Sequence, residues 1–249
     1  MLTVSDDHLG TTEQEWLSGD LLERVEPLGW EVGRRVVVVA PHPDDETLGA
    51  GGLLHAAHQT GSSILVVFVT DGEASHPGSE VTRGDLATRR RRESEDALGR
   101  MGLAGVEVVR CGLPDGRVGR HEPELLDALR GLVDRDDVVL TTWRHDGHPD
   151  HDAVGRVGAE VAEAVGARLL ELPIWAWHWA TPRHGLALAS ARRRDLSPGE
   201  LLAKRHAIRA YRSQIEPLGP GAADRAVLPP AVRARFERPF EIFLEPSAT

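Results

Sequence analysis

The sequence predicts a three-layer αβα sandwich, an α/β fold built on a mostly parallel, Rossmann-like sheet. Two observations predict this fold class. Short apolar runs such as residues 36–40 (VVVVA) and 64–69 (ILVVFV) lack polar alternation, which is typical of strands buried on both faces of a parallel sheet. These runs alternate with segments of helical periodicity, and that alternation produces right-handed βαβ units.

The regular elements follow one another from Arg34 onwards. After the first strand we expect a helix over 47–60 and a second strand over 62–70, which Asp71 and Gly72 end. The next predicted elements are a helix over 86–101, a strand over 106–111, a helix over 121–134, a strand over 136–143, a helix near 151–165 and a strand over 168–175.

The two ends of the chain are less regular. We expect residues 1–33 to form a peripheral N-terminal extension and residues 34–249 to form a single α/β domain with a decorated C-terminal part. In that part the pattern predicts a strand near 185–190 (GLALAS), a helix over 198–214, a long Pro-rich loop over 216–230 and a short closing segment, RPFEIFL.

Composition and charge exclude several classes of protein. The 249 residues carry a formal net charge of −10, which disfavours a nucleic-acid or anionic-membrane surface. Cys111 is the only cysteine, so an intrachain disulfide and a CxxC zinc site are excluded, and a reducing, cytoplasmic location is expected. Residues 1–20 lack the basic start and apolar stretch of a secretory signal, and the longest apolar runs are too short to cross a bilayer.

Two clusters of polar residues follow predicted strands and carry the candidate chemistry. The first, residues 41–46 (PHPDDE), comes directly after the strand over 36–40, and the second, residues 145–152 (HDGHPDHD), comes after the strand over 136–143. In an open parallel sheet, ligands bind beyond the carboxyl ends of the strands. We therefore expect the two clusters to meet at this edge of the sheet.

The residue types in these clusters suit a catalytic metal. His42, one carboxylate of the first cluster and one histidine of the second would supply three ligands for zinc or another divalent first-row ion and leave a position for water. The metal would acidify that water, and an adjacent carboxylate would act as general base. Asp44 and Asp45 allow this division because consecutive side chains point in different directions. Taken alone, each cluster is equally well explained by loop structure or a helix cap, the role expected for Asp152.

Both clusters match motifs of a known family. The segment VVVVAPHPDDETLGAGG and the downstream GHPDHDAVG closely resemble the LmbE-like, or PIG-L, N-acetylglucosaminyl deacetylases, whose motifs are (A/P)HPDDE and HPDH. Weaker similarities in FVTDGEAS, RRRRESEDALGRMG and KRHAIRAYRSQ extend the resemblance over roughly residues 34–214. The resemblance implies a zinc-dependent hydrolase that removes an N-acetyl group from an amino sugar or small glycoside and releases a free amine and acetate.

The resemblance also implies a role for each motif residue. Asp44 becomes the general base that deprotonates the attacking water, and protonated Asp44 or His148 supplies a proton to the leaving amine. His148 polarises the amide carbonyl and stabilises the oxyanion, while Asp150 orients His148 through its second ring nitrogen. Glu46 braces the loop. The implied metal ligands are His42, Asp45 and His151.

Two substrate contacts have competing explanations. Arg90 resembles an arginine that holds the polar head of the substrate in some relatives, but it also belongs to a run of four arginines that solvent could cover. Asp115 resembles a carboxylate that binds sugar hydroxyls, or it serves a type I turn. Asp146 stands where some relatives have a tyrosine, two residues before the first histidine of HPDH, and this departure bears on substrate choice.

A tryptophan-rich stretch follows the last predicted parallel strand. Trp175, Trp177 and Trp179 alternate in WAWHW, so on a strand they would share one face. That face could stack on a sugar ring or an acyl group, although packing in a core or a subunit interface is the commoner use of tryptophan. We expect the basic stretch 191–195 (ARRRD) to be a solvated loop.

Three other functions are alternatives. The same metal site could hydrolyse a larger thiol-conjugate or N-acyl amide. A His/Asp triad could bind iron(II) for oxygen chemistry, although the spacing and the adjacent base disfavour it. A non-catalytic ligand-binding relative is disfavoured because no motif residue is missing and GAGG does not match GxGxxG. The expected partner is a small N-acetylated molecule, with no nucleic acid and no membrane, and the sequence leaves a homo-oligomer open.

Overall fold

The computed structural model describes residues 10–246, and a seven-stranded sheet forms the centre of this part of the chain. Strands β1 to β5 pair in parallel, and β7 is antiparallel to both of its neighbours, β5 and β6. The strand order is β3-β2-β1-β4-β5-β7-β6. The strands are β1 (Val36–Ala40), β2 (Ile64–Phe68), β3 (Glu107–Arg110), β4 (Val138–Thr142), β5 (Arg168–Leu172), β6 (Ala191–Asp195) and β7 (Phe240–Leu244).

Helices connect these strands and cover the sheet. They are α1 (Glu13–Leu17), α2 (Asp45–Gln59), α3 (Arg83–Arg100), α4 (Glu122–Arg130), α5 (Pro149–Val165), α6 (Ala176–Trp179), α7 (Pro198–Ile208), α8 (Arg212–Ile215) and α9 (Pro230–Arg233). Among the described residues, no helix combines the length and apolarity needed to cross a bilayer.

The helices lie on both faces of the sheet, which confirms the predicted three-layer α/β fold. Alternate residues of β1 show the division: Val36 and Val38 pack in the apolar cluster that α2 and α7 complete, whereas Val37 and Val39 pack with α4 and α5. All of β1 is buried. This two-sided burial explains why the sequence of β1 has no polar alternation.

Glycines allow α2 to pack closely on its neighbours. A Cβ atom added to Gly49 would lie 2.7 Å from the side chain of Leu172 in β5, and one added to Gly52 would lie 2.5 Å from Leu196. Both distances are too short for a stable contact. The GAGG segment is therefore compatible with a helix because tertiary packing requires small residues there and outweighs their low helix propensity.

The chain after β5 differs from its prediction in several places, one of which is the helix predicted over 198–214, which is divided into α7 and α8. The GLALAS segment is not a strand, since residues 188–190 form a 3₁₀ turn, and the strand is instead the basic stretch after it, β6. The arginines of β6 are partnered rather than solvated: Arg193 lies 3.9 Å from the ring centroid of Phe240, and Arg194 bonds Glu200 at 2.7 Å. Charged residues suit β6 because it is an edge strand.

The tryptophan-rich stretch is also not a strand. Residues 176–179 form the short helix α6, so the three tryptophans do not share one face. Trp177 is buried edge-to-face against Trp16, with ring centroids 4.9 Å apart, while Trp179 is 42% exposed. The N-terminal extension therefore contributes Trp16 to the core instead of lying at the periphery. The beginning of that extension, residues 1–9, lies outside the described residues.

Candidate metal centre

The two polar clusters meet at the carboxyl edge of the sheet, as the sequence predicts. β1 and β4 are neighbouring parallel strands, with Val39 opposite Thr141. The chain therefore leaves both strands at one edge, into the loop before α2 and the loop before α5. His42 in the first loop and His151 in the first turn of α5 therefore come together, with Nδ1 of His42 3.2 Å from Nε2 of His151.

His42, Asp45 and His151 form a buried triad of metal-ligating atoms. Oδ2 of Asp45 lies 3.2 Å from Nδ1 of His42 and 3.4 Å from Nε2 of His151, so the three atoms form a nearly equilateral triangle. Ligand atoms on a tetrahedral zinc ion are separated by about 3.3 to 3.6 Å, given metal–ligand bonds of about 2.0 to 2.2 Å. All three residues line one cavity, which leaves room for a further ligand. The residues present therefore fit a divalent metal.

The charges of the triad favour a cation. Burial opposes ionisation of Asp45, but the neighbouring His151 and His42 lower its pKa to about 2. Burial also lowers the pKa of His42, but the carboxylates of Asp115, Asp150 and Asp45 outweigh it and raise this pKa well above 6.5. The carboxylates around His42 therefore attract positive charge. A metal ion that binds His42 would take the place of the proton that these carboxylates favour.

Two carboxylates hold the far side of the His42 ring. Oδ1 of Asp115 lies 3.2 Å and Oδ2 of Asp150 lies 3.4 Å from Nε2 of His42. Backbone N–H groups fix both carboxylates: Ala74 donates to Asp115 and Gly116 donates to Asp150, each at 2.6 Å. His42, Asp115 and Asp150 could also hold an ion among themselves. The carboxylates are better explained as acceptors for Nε2–H, which leaves Nδ1 free to bind a metal.

Asp146 orients the second histidine, a role that sequence reasoning missed. Its Oδ2 lies 2.8 Å from Nδ1 of His151, and both residues are fully buried. The backbone N–H groups of residues 174–176 donate to the same carboxylate. Asp146 does not line the cavity, so its replacement of tyrosine puts no carboxylate next to substrate. Asp146 could have been identified from the general rule that a metal-ligating histidine usually donates its other N–H to a carboxylate.

Asp44 lies beside the triad in a strained backbone conformation. Its φ of 141° and ψ of −28° make it the one non-glycine residue with positive φ among residues 10–246. Such a conformation costs on the order of 1–3 kcal/mol and is found mainly at functional sites. Burial raises the pKa of Asp44 to about 7, with Arg90 opposing the rise and Asp45 adding to it. A carboxylate with this pKa can accept a proton and return it near neutral pH.

Arg90 is buried beside Asp44, so its alternative as part of a solvated helix face is wrong. One terminal nitrogen lies 3.1 Å from Oδ2 of Asp44 and donates to the carbonyl of Pro43 at 2.6 Å. The other donates to the carbonyl of Gly72 at 2.9 Å. Arg90 also lines the cavity, as does Asp115. Both residues are therefore available to a substrate while already holding Asp44 and His42.

His148 lines the cavity as a neutral imidazole. Burial, followed by the nearby His151 and His42, lowers its pKa to about 3. His148 is the N-cap of α5, and its Nδ1 accepts the backbone N–H of Asp150 at 3.3 Å. The proton of the neutral ring therefore lies on Nε2, where it can be donated. The prediction that the Asp150 carboxylate orients His148 is wrong, because this carboxylate contacts His42 instead.

The cavity has a volume of about 320 Å³ and is lined by both polar and apolar side chains. The triad, Asp44, Arg90 and His148 are among the polar ones. Trp175 lines the cavity next to them and stacks on His148, with ring centroids 6.4 Å apart and planes 17° apart. The segment after α8 adds an apolar wall through Ala222, Ala223, Ala226, Val227, Leu228, Val232 and Phe236, and Arg225 and Arg235 of the same segment also line the cavity.

Comparison with known proteins agrees with this geometry. The PIG-L family, described as GlcNAc-PI de-N-acetylase, matches residues 37–162, just over half of the chain. A diacetylchitobiose deacetylase from Thermococcus kodakarensis is 30% identical over 53% of this chain and 51% of its own length. A 1D-myo-inositol 2-acetamido-2-deoxy-alpha-D-glucopyranoside deacetylase from Corynebacterium kroppenstedtii is 30% identical over 60% and 43%. The chain thus spans about half the length of these curated relatives.

Solved structures resemble the fold over most of the chain. A conserved protein from Thermus thermophilus superimposes with a TM-score of 0.59 and 26% sequence identity, covering 87% of this chain and 96% of that one. Because the PIG-L match ends at residue 162, it includes all three triad residues but excludes the apolar wall.

Proposed function

The chain belongs to the PIG-L family, and on this premise we propose that it is a metal-dependent hydrolase that removes an N-acetyl group from an amino sugar or small glycoside. One observation carries the proposal: a triad with the dimensions of a tetrahedral metal site lies beside a strained carboxylate with a pKa of about 7. The deacetylase names of the relatives agree with this reaction.

His42, Asp45 and His151 would hold the metal, with zinc as the expected ion and other divalent first-row ions as substitutes. Mixed imidazole and carboxylate ligands suit zinc, and three protein ligands are typical of catalytic sites. Such an ion supplies positive charge that acidifies water and polarises an amide carbonyl. Asp115, Asp150 and Asp146 support the two histidines from behind and so keep the ligating nitrogens in place.

Asp44 would be the general base. It takes a proton from the attacking water as the water oxygen bonds to the acetyl carbon. His148 donates Nε2–H to the oxygen of the carbonyl group, where negative charge develops. The C–N bond then breaks, and Asp44 returns its proton to the departing nitrogen. The products are a free amine and acetate, which balances one water consumed. Arg90 and Asp115 would contact the polar groups of the substrate.

Hydrolysis of a larger N-acyl amide, such as a thiol-conjugate amide, is a second candidate. The apolar wall favours it, because the wall offers contact area to an acyl chain that acetate lacks. Relative kcat/KM values for N-acetyl and longer N-acyl derivatives of the same amino sugar distinguish the two candidates. Deacetylation predicts the larger value for the acetyl compound, and the second candidate predicts the reverse order.

Release of free amine from N-acetylglucosamine and its glycosides tests the reaction directly. We expect zinc-dependent amine release by the unaltered protein and a loss of about 10²- to 10⁴-fold in kcat for Asp44→Asn, with metal still bound. Asp152→Asn is a matched control in the same region, because Asp152 bonds the backbone of Gly147 rather than a triad residue. Full activity of Asp44→Asn would contradict the assignment of the base.

A further inference from the structure

The strained conformation of Asp44 is held by a hydrogen bond to its backbone. Oε2 of Glu46 accepts the N–H of Asp44 at 3.1 Å. The Asp44 side chain makes no capping bond to α2, so its carboxylate remains directed to Arg90 and the cavity. Because positive φ is unfavourable for a residue with a Cβ atom, the Glu46 bond opposes relaxation of this backbone.

Glu46 is held in turn from a distant part of the chain. Its Oε1 accepts the hydroxyl hydrogen of Tyr211 at 2.5 Å and that of Thr47 at 2.5 Å. Glu46 is fully buried and Tyr211 is 1% exposed. Neither lines the cavity, so neither can touch a substrate there. Tyr211 is the only tyrosine in the sequence.

The helix that Tyr211 begins also supports the apolar wall. Tyr211 is the N-cap residue of α8, and Gln214 in that helix lines the cavity. The carbonyl of Gln214 accepts the N–H of Leu228, a wall residue, at 2.8 Å. One short helix therefore connects the substrate wall to the carboxylate that holds Asp44.

We propose that Tyr211 and Glu46 are positioning residues that hold Asp44 in its catalytic conformation. The inference rests on the proposed function, in which Asp44 is the general base. Tyr211 orders Glu46, Glu46 fixes the backbone of Asp44, and the fixed backbone sets the direction of the Asp44 carboxylate. Because a small misplacement of a reacting group is costly, the loss of this support lowers kcat more than it alters KM.

Tyr211→Phe removes the hydroxyl and keeps the ring, and Ser213→Ala is its matched control. Ser213 lies in the same helix, is fully buried, and donates its own hydroxyl to a buried carboxylate, Glu93, at 2.6 Å. We expect Tyr211→Phe to lower kcat by about 10- to 100-fold with KM and metal content within twofold. Ser213→Ala should retain kcat, although we expect its melting temperature to fall by about as much as that of Tyr211→Phe. Equal kcat in the two variants would overturn the inference.

A double-mutant cycle separates positioning from general destabilisation. If Tyr211 acts through Asp44, then adding Tyr211→Phe to Asp44→Asn should cause little further loss of the residual rate. Multiplicative losses would show that Tyr211 acts by another route and would overturn the proposal.

Glu46 variants provide a test that does not depend on activity. Glu46→Gln keeps an oxygen that can accept the Asp44 N–H, whereas Glu46→Met removes it. We expect hydrogen exchange of the Asp44 amide to be accelerated in Glu46→Met and in Tyr211→Phe, and to stay close to the unaltered rate in Glu46→Gln and Ser213→Ala. Unchanged exchange in Glu46→Met overturns the inference. Absence of amine release by the unaltered protein, with exchange as expected, overturns the proposed function only.

Discussion

The two parts of the chain that line the cavity differ in how their residues are brought to it. The first part, residues 36–172, carries β1 to β5 and the three residues of the candidate triad, on the loop after β1 and the first turns of α2 and α5. The second part, residues 173–246, supplies Trp175, the apolar wall and Tyr211. The first part is recognisable from local motifs, whereas the second acts through contacts between residues far apart in sequence.

This difference separates reaction from selectivity. Changes at the triad or at Asp44, in the first part, should alter metal binding or the chemical step for every substrate. Changes in the second part should alter which substrates are preferred, because its side chains form the wall and not the metal ligands. The Tyr211–Glu46 bond crosses between the two parts, since it begins at the N-cap of α8 and acts on the Asp44 backbone through Glu46.

The largest effect is expected from Asp45→Asn in the first part. The substitution keeps the shape of Asp45 but removes the charge that two histidines stabilise. We expect metal affinity to fall by more than the 10- to 100-fold typical of losing an outer hydrogen bond, and amine release to fall with it. Competition with a chelator of known affinity measures the change. Unaltered metal affinity would remove Asp45 from the ligand set.

Asp146→Asn should produce the next largest effect. The amide keeps an acceptor for the backbone N–H groups but weakens the bond that orients His151. Metal affinity should fall by about 10- to 100-fold while the fold is retained. The same chelator assay, with Asp152→Asn beside it, measures this. If Asp152→Asn loses as much affinity, the effect belongs to the whole loop and not to the His151 contact.

Trp175→Ala tests the second part and should act on substrate alone. Trp175 lines the cavity and stacks on His148, so its removal should lower kcat/KM by about tenfold without releasing metal. Trp179→Ala is the comparison variant, because Trp179 is 42% exposed and does not line the cavity. Loss of metal from Trp175→Ala would contradict the division between the two parts.

The smallest predicted effect is on the pH dependence of the free energy of unfolding, through His178 in the second part. Burial, with help from Arg235, lowers the pKa of His178 below its usual 6.5. The folded state therefore binds fewer protons than the unfolded state, and the free energy of unfolding falls as pH drops through 6.5 toward the folded-state pKa. His178→Gln should flatten this part of the curve. Identical pH dependence of denaturant unfolding in both proteins would show that His178 does not contribute.

The parts of the fold that the sequence predicts best are those where local pattern and tertiary environment agree. β1 and β2 are apolar throughout because both faces are buried, β4 is equally buried although it ends in two threonines, and the two polar clusters follow β1 and β4. Residues 175–179 mislead because alternating tryptophans mimic a strand, although each ring packs in a different place around α6. The sequence does not indicate β6 as a strand because the partners of its arginines, Phe240 in β7 and Glu200 in α7, are known only from the folded structure.

In the candidate site too, the sequence predicts local features better than contacts between distant residues. The resemblance of the motifs implies His42, Asp45 and His151 as metal ligands, and the structure brings these three side chains together. The contacts of Asp146 and Asp150 are not found from the motifs, because they depend on how loops pack: Asp146 contacts His151, and Asp150 contacts His42 rather than His148. The support of Glu46 by Tyr211 connects positions 165 residues apart, which no local pattern reveals.

The number of zinc ions bound per chain tests the central claim most directly. The protein is stripped of metal, supplied with zinc at neutral pH, dialysed and analysed for metal content, in parallel with His151→Ala. The triad predicts one tightly bound zinc ion per chain and its loss in the variant. A protein that retains no zinc, or a variant that retains as much as the unaltered chain, would contradict the assignment of His42, Asp45 and His151 as a metal centre.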